Sequence, residues 1–171
     1  MTTSITAVID TKLQIKETME LTLDNASNPT VSHEIDGGSV SLTASTTPAV
    51  SKASSDQRTL SSGTDSIDLT AAPGPTVNGT AAVVDMTGLK VQAFKFKAAS
   101  TNSAVLVIEG HATTGYDLFS SLSDGKVQLA AGEEILMVLN EGNPDVSASL
   151  KDIHVTSADV DAIYDFEIVA G

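Results

Sequence analysis

Cysteine is absent from the 171 residues, so the chain forms no disulfide, carries no thiolate nucleophile and offers no sulfur ligand to a metal. Tryptophan is absent too, and aromatic residues make up only 4%. Hydrophobic content is an ordinary 41%, which leaves Val, Ile, Leu and Ala to build the core. Thin cores of this kind gain stability by burying further apolar surface in an oligomer or a larger assembly. Positive charge is scarce: 9 Lys+Arg stand against 22 Asp+Glu, a formal charge of −13. That balance repels phosphate backbones and anionic lipid, so no nucleic acid and no membrane is expected as a partner. No run of about 18 apolar residues occurs, as a spanning helix requires. The opening Met-Thr-Thr-Ser-Ile-Thr-Ala-Val-Ile-Asp lacks the basic start and apolar middle of a signal peptide. The chain is expected to work without Sec export.

What is present is alternation. From Lys12 to Leu23, the residues Leu13, Ile15, Met19, Leu21 and Leu23 fall on one side and Gln14, Lys16, Thr18, Glu20 and Thr22 on the other, the pattern of a long half-buried β-strand. Turn-forming Asn, Ser and Pro between Asp24 and Pro29 end it. Val31–Ile35 and Val40–Thr43 flank Asp36-Gly37-Gly38, which reads as a hairpin. From Thr43 to Gly63 the composition turns to Ser, Thr, Ala and Lys with few large side chains, the mark of a loop, an exposed edge strand or an extended arm that orders against a partner.

Alternation resumes at Ser66–Leu69 and breaks at Ala72-Pro73-Gly74-Pro75 and Asn78-Gly79. In Leu89–Lys97 the apolar parity switches, from Leu89, Val91 and Ala93 to Phe94 and Phe96; a β-bulge or a strand covered on both faces produces such a switch. Ala104–Ile108 and Ile135–Leu139 are continuous apolar runs, expected as interior strands. Turns at Asp124-Gly125 and Ala131-Gly132 bracket Val127 and Leu129, Asn140–Asp145 reads as a loop, and the chain closes with Tyr164, Phe166 and Ile168 facing in. Helical signals are confined to short turns near Thr156–Asp161 and Tyr116–Leu122. Roughly eight to ten short strands imply an all-β fold: an antiparallel two-sheet β-sandwich, jelly-roll-like, over residues 11–171, preceded by an extended N-terminal arm at residues 1–10.

The search for chemistry finds little. His33, His111 and His154 stand at no local ligand spacing, so a metal site would need two of them to meet through the fold; surface or hydrogen-bonded structural roles are expected. The acidic pairs Glu133-Glu134, Asp65 with Asp68, and Asp159 with Asp161 read as solvated turn carboxylates, with no calcium-loop pattern. No G-x-S-x-G elbow and no phosphate-binding loop occurs. The expectation is no enzyme, no cofactor and no metal. Tyr116 and Phe119, beside Gly115, either cap the end of the core or line a sugar-binding face or an intersubunit seam.

Five stretches taken together resemble a known class: Thr11–Glu17, Gly88–Phe96, Gly115–Phe119, Ala131–Leu136 and Asn140–Asp145. They are similar in texture to small virion structural proteins of tailed bacteriophages. That resemblance implies a head decoration (cement) protein or a minor structural component, often trimeric, made in the host cytoplasm and bound to the outside of the capsid, with the major capsid protein and further copies of itself as partners. Ile5, Val8 and Ile9 of the arm, together with residues 43–63, are then the candidate anchors. The competing expectation is a carbohydrate-binding or adhesin-type sandwich of a fibre or cell surface, in which Tyr116 and Phe119 stack on a sugar and Asp117 hydrogen-bonds to it.

Overall fold

The computed structural model describes residues 6–18, 30–43, 45–47, 49–77, 80–119, 125–139 and 143–171. Nearly every alternating or apolar segment in this range is a strand: β1 (Thr6–Thr18), β2 (Thr30–Thr43), β3 (Lys52–Thr59), β4 (Thr64–Asp68), β5 (Ala72–Val77), β6 (Thr80–Val84), β7 (Val91–Ala98), β8 (Leu106–Gly110), β9 (Lys126–Leu129), β10 (Glu134–Val138), β11 (Asp152–Ser157) and β12 (Ile163–Ala170). Among the described residues there is no helix.

Eight strands make two four-stranded antiparallel sheets, one ordered β10-β7-β12-β3 and the other β4-β11-β8-β9. The sheets share one apolar core and form an all-β sandwich. Phe94, Phe96, Tyr164, Phe166 and Ile168 enter it from the first sheet, and Ile67, Leu106, Ile108, Ile153 and Val155 from the second. Each of these side chains is essentially fully buried, and complete burial of a large apolar side chain stabilises by about 1.5–3 kcal/mol. The few aromatic rings are concentrated here, with Phe94 edge-on to Phe119 at a centroid separation of 5.4 Å.

The remaining strands form two hairpins, β1–β2 and β5–β6. The first packs on the sandwich through a small separate cluster in which Leu42, Val50 and Ala93 are buried against Ala7, Ile9 and Val169. β7 therefore has apolar cover on both faces, Phe94 and Phe96 inward and Ala93 outward. It also carries a bulge: Val169 of β12 faces Ala93 but Ala170 faces Val91, so Gln92 is the extra residue. The parity switch in the sequence has both of its anticipated causes.

Several expectations are corrected. Residues 6–10 are not a separate arm but the first part of β1, facing Ser39–Thr43 of β2. Asp36-Gly37-Gly38 is not a hairpin turn. The register passes from Asp10↔Ser39 to Lys12↔Asp36, so Gly37 and Gly38 together face Thr11 as a bulge inside β2, where glycine tolerates the irregular backbone. The Pro-Gly-Pro segment does not break the sheet pattern but forms β5, whose register slips between Pro73 and Thr76 and so accommodates residues lacking an N–H. Ile135–Leu139 supplies an edge strand rather than an interior one. Of the three readings open for residues 43–63, Lys52–Thr59 is the exposed edge strand, β3. The turns expected at residues 24–29, 78–79 and 140–142 lie outside the described residues, as do residues 19–23 of the long opening strand.

Candidate interaction surface

Because side chains alternate, every strand that sends apolar residues into the core sends the intervening ones to the outer face of its sheet. On β10-β7-β12-β3 these form rows. Gln57, Asp165, Lys97 and Glu134 make one, and Ser55, Glu167, Lys95 and Leu136 the next. Ala53, Val169, Ala93 and Val138 make a third. The face thus grades from charged to small and apolar across its width.

The second row, with Ala53, Val169 and Ala93 of the third, floors a groove of about 780 Å³, walled by Ala7, Val8 and Ile9 of β1 on one side and by Gly74, Val83 and Val84 of β5–β6 on another. Val8 (60% exposed), Val83 (68%) and Leu136 (39%) line it. Val138 lies opposite Ala93 and Val40 opposite Ile9, and both are exposed beside it. Five of the eight exposed large hydrophobics among the described residues gather here, leaving Val105, Leu150 and Val160 elsewhere. Isolated surface valines carry no message, but a contiguous apolar patch rimmed by polar residues marks an interaction site. In a chain of charge −13 the groove's charged lining is Lys52, Lys95 and Glu167. Lys95 also pairs with Glu134 at 3.4 Å.

The candidate contact residues are distributed unevenly over this surface. Val8 lines the groove and is exposed; Ile9 lines it while half-buried against Ala93 and Val169. Ile5 lies outside the described residues. Tyr116 and Phe119 are fully buried core residues, which corrects their placing as a sugar platform or an exposed seam. The Tyr116 hydroxyl donates to Pro144 O at 2.8 Å and accepts from Val91 N at 3.1 Å. Burial pushes its pKa up, against the opposing effect of the Val91 N–H. Both aromatic rings cap the core.

The fold brings two histidines together on the outer face of the second sheet. The His111 and His154 rings meet edge to face with centroids 5.4 Å apart. Thr64 Oγ1 hydrogen-bonds to His154 Nε2 at 2.8 Å, and Glu109 Oε1 lies 3.8 Å from His154 Nδ1. Thr114 Oγ1 lies 3.3 Å from His111 Nδ1 and donates to Asp152. Among the described residues no three His, Asp or Glu side chains are arranged to hold a metal ion. His33 stands in β2, away from this pair in the chain.

The acidic pairs divide: Glu133 and Glu134 are exposed at a turn, as expected, while Asp65 and Asp68 have partners distant in the chain. Asp65 accepts the Tyr164 hydroxyl at 2.7 Å and pairs with Arg58 at 3.2 Å, tying β4 of one sheet to β12 and β3 of the other. Burial and the neighbouring Asp65 both push the Tyr164 pKa far up. Asp68 binds Lys151 at 2.5 Å, Glu133 accepts from Ala130 N, and Asp159 accepts from Ser103 N at 2.7 Å. The partners of Asp65, Asp68 and Asp159 are distant in the chain and were not legible in the sequence, whereas Glu133 closes its own turn. Comparison of the chain with family models, curated proteins and solved structures yields no match.

Proposed function

We propose that this chain is a non-enzymatic virion structural protein, a capsid decoration protein that sits on the outside of a phage head and strengthens contacts between major capsid subunits. The observation that carries the docking half of this reading is the gathering of Val8, Val83, Leu136 and Val138 around one groove. The virion half rests on the resemblance of the sequence. The groove suits an apolar segment of the capsid subunit, because its lining is mainly small and apolar and its few charges, Lys52, Lys95 and Glu167, include both signs.

The strand order supports a jelly-roll reading of the sandwich. The pairs β3–β12, β4–β11, β7–β10 and β8–β9 are those of one long antiparallel ribbon. The contacts β7–β12 and β8–β11 are those made when such a ribbon wraps on itself.

The test is composition and binding. Particles from the producing host should contain the chain at on the order of hundreds of copies each, as a shell-covering protein with repeated sites requires. Val8→Glu combined with Val83→Glu should weaken rebinding to stripped particles about tenfold or more while leaving the melting temperature within a few degrees, since both side chains are more than half exposed. Absence of the chain from particles, or undiminished rebinding by the double variant, would contradict the reading.

A further inference from the structure

We propose that β10 is a pairing edge and that its occupant is β10 of a second copy of this chain, arranged antiparallel about a two-fold axis at Leu136. A sheet edge presents unpaired N–H and C=O groups, and soluble proteins normally cover, charge or distort it. Three of the four sandwich edges are treated in this way. Along β3, Lys52, Asp56 and Arg58 share the parity of the inward-pointing residues of β12, and the β5–β6 hairpin packs beside the strand, with Ser54 Oγ donating to Pro73 O at 2.7 Å. Along β4, Arg58 Nη1 reaches over to Ser66 O and the strand carries two aspartates. β9 is four residues long and begins with a lysine. β10 is the least protected: its one charge, Glu134 at the strand's start, is turned onto Lys95, the remaining Ile135-Leu136-Met137-Val138 contains no charge and no proline, and no other named strand runs beside its free edge.

The register says which groups are free. Antiparallel pairs alternate between those that exchange hydrogen bonds and those that do not. Ala98 N donates to Glu133 O and Leu139 N to Gln92 O, and both pairs lie on the β10–β7 register. The odd-numbered residues therefore bond to β7, and Glu134, Leu136 and Val138 direct their backbone N–H and C=O away from it. Among the described residues none takes those groups up.

Self-pairing about Leu136 matches the free backbone groups and sets no two charges of like sign opposite one another. Leu136 then faces its own copy, and Glu134, already paired with Lys95, faces Val138, so no like charges are opposed. Ile135 and Met137, half-buried at the rim of the core, face each other across the axis and extend the core into the second copy. The half-exposed Leu136 and Val138 acquire apolar cross-strand neighbours. The contact is isologous, so it closes at two copies and does not by itself build a threefold ring.

Light scattering and native mass spectrometry of the full chain at micromolar concentration test this. The expected mass is twice that of the 17.5 kDa chain. Leu136→Lys, which sets two cations face to face on an outward position, and Leu136→Pro, which removes an N–H that β7 does not use, should each weaken self-association at least about tenfold. Val83→Lys, on the groove wall, should leave the mass unchanged. Hydrogen exchange adds a readout that needs no variant: the amides of Glu134, Leu136 and Val138 should be protected in the wild-type protein and lose protection on dilution. A wild-type monomer, a three-copy mass, a Leu136→Lys mass equal to wild type, or rapid exchange at those amides would overturn the proposal. Because the capsid reading is tested by particle composition and groove variants, the two fail separately.

Discussion

Tyr116 shows how a single side chain acquires its role from distant backbone. Its hydroxyl bridges Val91 N and Pro144 O, and its own amide donates to Asp152 O. Tyr116→Phe leaves a buried N–H and a carbonyl without their partner, so the chain should lose about 1–3 kcal/mol in urea unfolding while keeping its fold. Gln92 is the opposite case. It is buried at the β7 bulge, its Nε2 donates to Gly171 O at 3.2 Å, and its Oε1 has no partner among the described residues. Gly171 O keeps a second donor in Lys90 N. Gln92→Met should therefore stabilise by about 1 kcal/mol, and a loss of that size instead would show that the amide does more than fill space. At this scale the sequence was legible for type and not for partner. Gly115 beside Tyr116 and Phe119 marked an end of the core, but the chain that covers these rings lies far along the sequence, and composition cannot report it.

Among the elements, legibility followed the local pattern. β12 was plain because Tyr164, Phe166 and Ile168 alternate with Asp165 and Glu167, and all three are buried. β10 was misjudged because a run of apolar residues records the wish to be covered, whereas edge or interior is decided by whether another strand lies alongside. β5 was missed because proline argues against a ladder, and only a two-stranded ribbon with a slipped register tolerates Ala72-Pro73-Gly74-Pro75. The edge strand β4 has a pH-sensitive fastening. Burial opposes ionisation of Asp68, but hydrogen bonds from Lys151 and Thr70 outweigh it and hold its carboxyl below the ordinary carboxylate range, while the same contact raises Lys151. A depressed acid stabilises fully above its unfolded pKa of about 3.9 and loses that contribution as pH falls through the lower folded value. Raised Lys151 contributes fully below about pH 10.4 and loses its share only as pH climbs through its higher folded value. Asp68→Asn should thus lower stability at pH 7 and flatten its decline below pH 4 in urea titrations. An acid slope identical to wild type would falsify this role.

For the whole molecule, strand count and turn frequency were enough to indicate a sandwich, while the assignment of strands to sheets was not readable because it depends on pairings such as Lys52–Thr59 with Ile163–Ala170. The candidate groove was legible only in part: Val8 and Ile9 were singled out, but Val83 and Leu136 join them only through the fold. The β1–β2 hairpin pairs with itself and meets the sandwich through Leu42, Ala7 and Ile9. A chain beginning at residue 44 should therefore still unfold in one cooperative transition by circular dichroism, at a temperature lowered by a few degrees for each kcal/mol lost, and, on the proposed capsid role, should no longer bind particles. Failure of that chain to fold would show that the hairpin is part of the core. The position of β12 also has a kinetic meaning. It lies between β3 and β7, so the first sheet has no centre until Ile163–Ala170 has met the distant Lys52–Thr59. Folding is then slow, in the millisecond-to-second range set by distant pairings. Any state in which β12 has not yet docked leaves the facing edges of β3 and β7 bare, and it is this partly formed species that is prone to aggregate.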